Sequence, residues 1–85
     1  MKLIKIRNTS NTIVSDDLSI NAIELLKLLF DKTDKELENF NFNLYSFKNI
    51  SRKDIALSFK ELRKKKYIIY SSLNDFYQIY QEPHK

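Results

Sequence analysis

An 85-residue chain with no cysteine, no glycine, a single histidine and a net charge of +4 can build one small domain around a modest core. Missing cysteine excludes a disulfide framework, a thiol nucleophile and zinc–cysteine sites, missing glycine excludes the P-loop and the dinucleotide fingerprint, and the lone His84, beside Pro83, excludes a multi-histidine metal centre. No apolar run exceeds four residues, so neither a membrane span nor a signal segment is expected, and the cytoplasm is the expected location.

Residues 1–15 form an expected extended arm. Leu3, Ile4 and Ile6 lie among Lys2, Lys5 and Arg7, followed by a polar Asn-Thr-Ser-Asn stretch and then Thr12, Ile13 and Val14. Short β-branched runs about such a turn predict two brief strands, a hairpin being one arrangement. The cations here either add phosphate contacts or serve only to keep an edge strand from pairing.

Ser19 to Lys32 is predicted as a helix, with Ser19 as N-cap and the carboxylates of Asp16 and Asp17 at the positive end of its dipole. Ala22, Leu25, Leu26, Leu29 and Phe30 gather on one side, with Ile23 at the margin and Leu18 before the cap. Leu28 falls off that face and is expected to meet another element or a second chain. The acidic pair lacks a third ligand nearby and reads as helix-start chemistry, not as a metal or catalytic site.

Thr33 to Glu36 matches a capping box and predicts a short acidic helical turn, while Phe40 and Phe42, alternating with asparagines, equally suit an extended segment. Asn43 to Ile50 predicts a brief helix and turn. Asn43 is its cap, Leu44 and Phe47 are spaced i, i+3, and Asn49 is left-handed at the end, because turns that need positive φ fall to Asn or Asp in a chain without glycine.

Ser51 to Ile68 is the most informative stretch. Ser51 and Asp54 form a variant capping box that starts a helix; at 100° per residue Ile55, Phe59 and Leu62 make a narrow apolar stripe, and Lys53, Leu57, Lys60 and Lys64 point the other way. Seven cations stand against two carboxylates between Ser51 and Lys66, a local charge of +5. The segment Asp16 to Glu38, by contrast, holds seven carboxylates and three lysines. Such localisation is the footprint of a polyanion-binding face, although cations in a last turn also offset the helix dipole.

Tyr67 to Ser71 and Phe76 to Tyr80 are β-rich runs joined by Ser-Leu-Asn-Asp, which predicts a hairpin. Cross-strand packing explains these aromatics more simply than a base-stacking platform for single strands. Gln81 to Lys85 is expected to be a polar tail. A brief helix, a tight turn and a basic helix form the helix-turn-helix that enters the major groove, and a hairpin directly after it is a wing.

In this order and with these residues the chain resembles the winged helix-turn-helix superfamily, and more narrowly the small DNA-binding domains of phage and plasmid replication or regulatory proteins. The recognition-helix pattern of that family is met by Ser51, Arg52, Ile55, Ser58 with Phe59, Leu62, and then Lys66, Tyr67 and Ile68. The opening from Leu3 to Leu26 is similar to the start of the replication-type domains. The resemblance implies an α+β fold of three main helices and a C-terminal β-hairpin wing, with a short N-terminal strand. Three departures stand out: Lys66 fills the place usually held by glycine, Leu57 sits where DNA-reading members have a polar or basic side chain, and the loop Ser71 to Asp75 has no cation.

Two functions from different classes follow. The first is a double-stranded DNA-binding regulator of transcription or replication in a mobile element. Arg52, Lys53, Ala56 and Leu57 would then face base edges, Lys60, Arg63 and Lys64 would contact phosphates, and Lys2, Lys5 and Arg7 are additional candidates. One module has a small footprint, so a homodimer or a protein partner is expected to supply specificity. The second is a winged-helix protein-interaction module that inhibits a host or phage protein, such as an anti-CRISPR, favoured by Leu57, the uncharged loop and the tyrosines. No cofactor is expected. An enzyme is not expected either, because Asp16, Asp17, Asp31, Asp34, Glu36 and Glu38 are paired with no base, nucleophile or metal-ligand set.

Overall fold

The computed structural model describes residues 1–6, 17–41 and 51–83, which form an α+β domain. The elements are β1 (Leu3–Ile6), α1 (Ile20–Asp31), α2 (Asp34–Glu38), α3 (Arg52–Lys64), β2 (Ile68–Ser71) and β3 (Phe76–Tyr80). The helix and turn expected over 43–50, Phe42, the second strand expected around Ile13 and the end of the tail at His84 lie outside the described residues. None of the described helices is long and apolar enough to cross a membrane.

The expected hairpin is present, and its register sorts its aromatics. β2 and β3 are antiparallel, with Ile68 opposite Ile79 and Tyr70 opposite Tyr77. The Tyr80 amide donates to the Tyr67 carbonyl at 2.7 Å, so by alternation Ile68/Ile79 and Tyr70/Tyr77 are the pairs without mutual backbone bonds, whose side chains stand closest. Leu3 lies level with Tyr77 in β1, which puts Leu3, Ile68, Tyr70, Tyr77 and Ile79 on one sheet face. Ile4, Ile6, Ile69, Phe76 and Tyr80 share the other face and are all half-buried.

The N-terminal strand is where expected, but its partner is not local. β1 runs parallel to β3, giving the order β1-β3-β2. On its other side, Met1 and Phe40 exchange two backbone bonds, at 2.8 and 3.1 Å. Phe40 is buried just after the short helix α2, whose capping box meets the first reading of residues 33–43; Phe42, on which the extended reading also rests, lies outside the described residues. Lys5, an expected phosphate contact, is turned inward. Its ammonium donates to the carbonyls of Lys32 at 2.5 Å and Phe30 at 3.3 Å, and Asp34 lies 3.8 Å away. It thus satisfies orphan carbonyls at the C-terminus of α1, a helix with no basic residue of its own in the last turn.

Each helix starts on a hydroxyl cap. Ser19 accepts from the Ala22 amide and Thr33 from the Glu36 amide. Glu36 also reaches back to the Thr33 amide at 3.1 Å, completing a capping box. These bonds from Thr33 hold the Glu36 carboxyl below its ordinary range. Its contribution to stability is therefore present above the unfolded-chain value and lost as pH falls through the lower folded one. At Ser51 the shorter Asp54 meets the cap hydroxyl at 3.0 Å, while Ser51 Oγ accepts the Asp54 amide at 3.2 Å.

The core lies between the sheet face and α1, with α3 packed across α1. Ala22, Leu25, Leu26, Leu29 and Phe30 of α1 are buried as their spacing requires, together with Ile55 and Leu62 of α3 and Tyr67 after it. Leu28 is half-buried. Gln81, expected in a polar tail, is instead buried. Asp17 and Glu61 tie the two helices together. Glu61 Oε2 accepts the Ser19 amide at 2.8 Å, and Asp17 accepts the Tyr67 hydroxyl at 3.1 Å while pairing with Lys65. Asp17 is therefore a cross-helix tether beside the cap, not merely a charge on the helix dipole.

α3 ends in a Schellman motif. The Tyr67 amide donates to the Leu62 carbonyl at 2.9 Å and the Lys66 amide to the Arg63 carbonyl at 3.2 Å, with buried Tyr67 and Leu62 as the usual apolar partners. The left-handed residue is Lys66, at φ 72, where Cβ meets a steric penalty that glycine escapes. Replacing Lys66 by Gly is expected to stabilise the domain by about 1 kcal/mol and raise its melting temperature by roughly 4–8 °C. A β-branched Val at the same position should lower it; thermal unfolding followed by circular dichroism reads both.

Candidate nucleic-acid interface

The buried stripe orients α3. At 100° per residue Ile55, Phe59 and Leu62 span about 60°, and Arg52, Lys53, Ala56, Leu57, Lys60, Arg63 and Lys64 fall within an arc of about 140°. All seven of the latter are exposed. Ile55 and Leu62 are core residues, and half-buried Phe59 packs edge-on against Tyr77 with ring centroids 5.5 Å apart. The helix therefore presents one continuous side of five cations with Ala56 and Leu57 between them, and Leu57 is 56% exposed.

Not every cation of the segment belongs to that side. Lys65 turns away and donates to the Asp17 carbonyl, and its ammonium pairs with the Asp17 carboxylate at 3.9 Å. Lys2 is exposed but lies by Glu38, Asn39 and Asp75 at the end of the sheet. Arg7 lies outside the described residues. Lys5 is 10% exposed in its side chain and is held by α1. Of the arm's candidates, the two described ones, Lys2 and Lys5, do not lie beside α3.

Between α3 and β2 runs an open groove of about 760 Å³. Lys60, Arg63, Lys64 and Lys66 line it together with Ala56, Phe59, Ile68, Ile69 and Tyr70. Arg63 lies over the Tyr77 ring at 5.4 Å, a cation–π contact that fixes the guanidinium. Tyr70 stands 5.0 Å from Tyr77 and donates its hydroxyl to Asp75 at 2.6 Å. That bond, with some desolvation and the Asp75 charge, pushes the Tyr70 hydroxyl above its ordinary range, so it stays protonated and pinned. Asp75 itself is left-handed, at φ 54, and supplies the positive φ that the glycine-free hairpin needs.

Lys66 and Tyr70 escape a reading based on helical spacing, because the first lies past the end of α3 and the second on a strand. The hairpin register held the signal: a four-residue loop after Ser71 sets Tyr70 opposite Tyr77, on the face toward Phe59 and Arg63. No family model matches the chain, and neither a curated protein nor a solved structure matches it.

Proposed function

We propose that the chain is a winged-helix domain that binds double-stranded DNA, with α3 in the major groove and the β2–β3 hairpin as its wing, and that it regulates transcription or replication for a mobile element. The observation that carries the DNA reading is the exposed arc of α3. Its five cations are free of internal ion pairs among the described residues, whereas Lys65 on another side of the helix and Lys5 in β1 are engaged within the protein. A helix fits the major groove, its N-terminal residues meet base edges and its later cations meet phosphates. Arg52 and Lys53 are in the first turn, Ala56 and Leu57 can contact thymine methyls, and Lys60, Arg63 and Lys64 continue along the same side. The assignment to a mobile element rests on the resemblance of the sequence pattern alone.

A protein-interaction reading is favoured by Leu57, at 56% exposure, and by Leu73 at the hairpin tip, at 96%. Apolar side chains in such positions serve as anchors for a partner. Reversing Arg52 and Lys53 to Glu separates the two. Both side chains are exposed, so the fold should persist, and duplex affinity measured by fluorescence anisotropy is expected to fall on the order of a hundredfold. An unchanged affinity, or a parent chain that binds no duplex, leaves the protein-interaction reading in its place.

A further inference from the structure

The groove beside α3 differs in kind from the convex arc. Its lining mixes cations with apolar side chains, and Tyr70 among them is 43% exposed. Phosphates explain Lys60, Arg63, Lys64 and Lys66, and core packing explains Ile68 and Phe59; neither explains the exposed Tyr70. A cationic track with an aromatic ring set into it is the combination by which single-stranded nucleic acid is held, phosphates on the cations and a base on the ring.

Resting on the nucleic-acid reading of α3, we infer that this groove is a single-strand subsite, in which one unpaired nucleotide next to the duplex stacks its base on Tyr70 while its phosphate lies at Lys66, beside the duplex phosphates held by Lys60 and Lys64. Inside a duplex both π-faces of a base are covered by its neighbours, so an unpaired base offers a face that interior pairs lack. The ring is prepared for it. Tyr77 supports Tyr70 from one side at 5.0 Å, Asp75 holds its hydroxyl, and Tyr77 is itself braced by Phe59 and by Arg63. Stacking on a ring already fixed costs little side-chain entropy. A second copy of this chain is a poor occupant, since four cations line the groove and the same face of a twin would bring four more.

The test compares three labelled ligands by fluorescence anisotropy: a blunt duplex, the same duplex with a short single-stranded overhang, and the unpaired strand. For the parent chain the overhang is expected to bind tighter than the blunt duplex by about five- to a hundredfold, the range that one base stacked on an aromatic ring provides. A fluorescent base analogue in the overhang should be quenched on binding. Tyr70→Ala should abolish both effects and leave blunt-duplex affinity unchanged, whereas Tyr70→Trp should retain them.

Equal binding of overhang and blunt duplex by the parent overturns the inference. So does a Tyr70→Ala variant that loses both ligands alike, or a poly-glutamate that displaces the overhang as well as an unlabelled strand does. Should the unpaired strand bind and quench while the blunt duplex does not, the subsite stands and the major-groove reading falls. Duplex binding with no overhang gain removes the subsite and leaves the major-groove reading standing.

Discussion

Duplex affinity should fall steeply as salt is raised, with a slope of log K against log salt near −4.5 if about five phosphates of B-DNA are neutralised along the arc. Between about 50 and 200 mM salt that amounts to a loss of roughly 500-fold, larger than any single side-chain contact could produce. The physical source is counterion release, which depends on how many exposed cations reach phosphates and not on the net charge of the chain. The structure makes the count specific. Lys60→Gln should make the slope shallower by about 1. Lys65→Gln should leave it unchanged, because Lys65 is turned from the arc onto Asp17. Lys5→Met should also leave it unchanged, because Lys5 closes the end of α1. A slope shallower than about −2 in the parent chain contradicts an interface of five phosphates, and equal effects of Lys60→Gln and Lys65→Gln contradict the arc.

The largest loss of stability is expected at Tyr67. Its ring is fully buried, its amide closes the Schellman motif and its hydroxyl donates to Asp17 at 3.1 Å. It is thus the point where α3, the approach to α1 and the start of β2 are joined. Tyr67→Ala should cost about 3–5 kcal/mol, as removal of a buried ring does. A domain of this length has a total stability of roughly 4–13 kcal/mol at ~0.05–0.15 kcal/mol per residue, so the substitution takes a large share of it. Tyr67→Phe keeps the packing and loses the bond to Asp17, for about 1 kcal/mol. Urea unfolding would show the two as shifts in midpoint at constant slope. A cost below about 1 kcal/mol for the alanine variant contradicts the placement of this ring in the core.

The caps are readable residue by residue: Ser19, Thr33 and Ser51 each stand three residues before an amide they can accept, and such signals depend only on neighbours in the chain. The apolar faces of α1 and α3 are readable for the same reason, since helical geometry converts spacing into direction. So is the hairpin, from β-rich runs on either side of a turn whose Asp75 takes positive φ. Lys66 is legible as a misfit, a lysine where a helix-ending glycine is usual, and its φ of 72 shows that the chain accepts the penalty. Gln81 is not legible, because a polar side chain after the last strand has the same local pattern whether buried or exposed.

The candidate site divides along the same line. Arg52, Lys53, Ala56, Leu57, Lys60, Arg63 and Lys64 can be placed together from one sequence, because a single helix carries them all. The roles of Lys2, Lys5 and Lys65 cannot be told apart from composition, as each is a lysine in a basic neighbourhood and only its partners across the fold separate them.

By itself the sequence determined where helices begin, which of their sides are dry and where positive charge collects, because those properties follow from residues a turn apart. Only the tertiary structure decided that β1 pairs in parallel with β3, that Asp17 and Lys5 bind groups more than twenty residues away, and that Tyr70 borders a cationic groove. These depend on which surfaces meet when the chain collapses, and no local pattern encodes a meeting between elements at opposite ends of the chain.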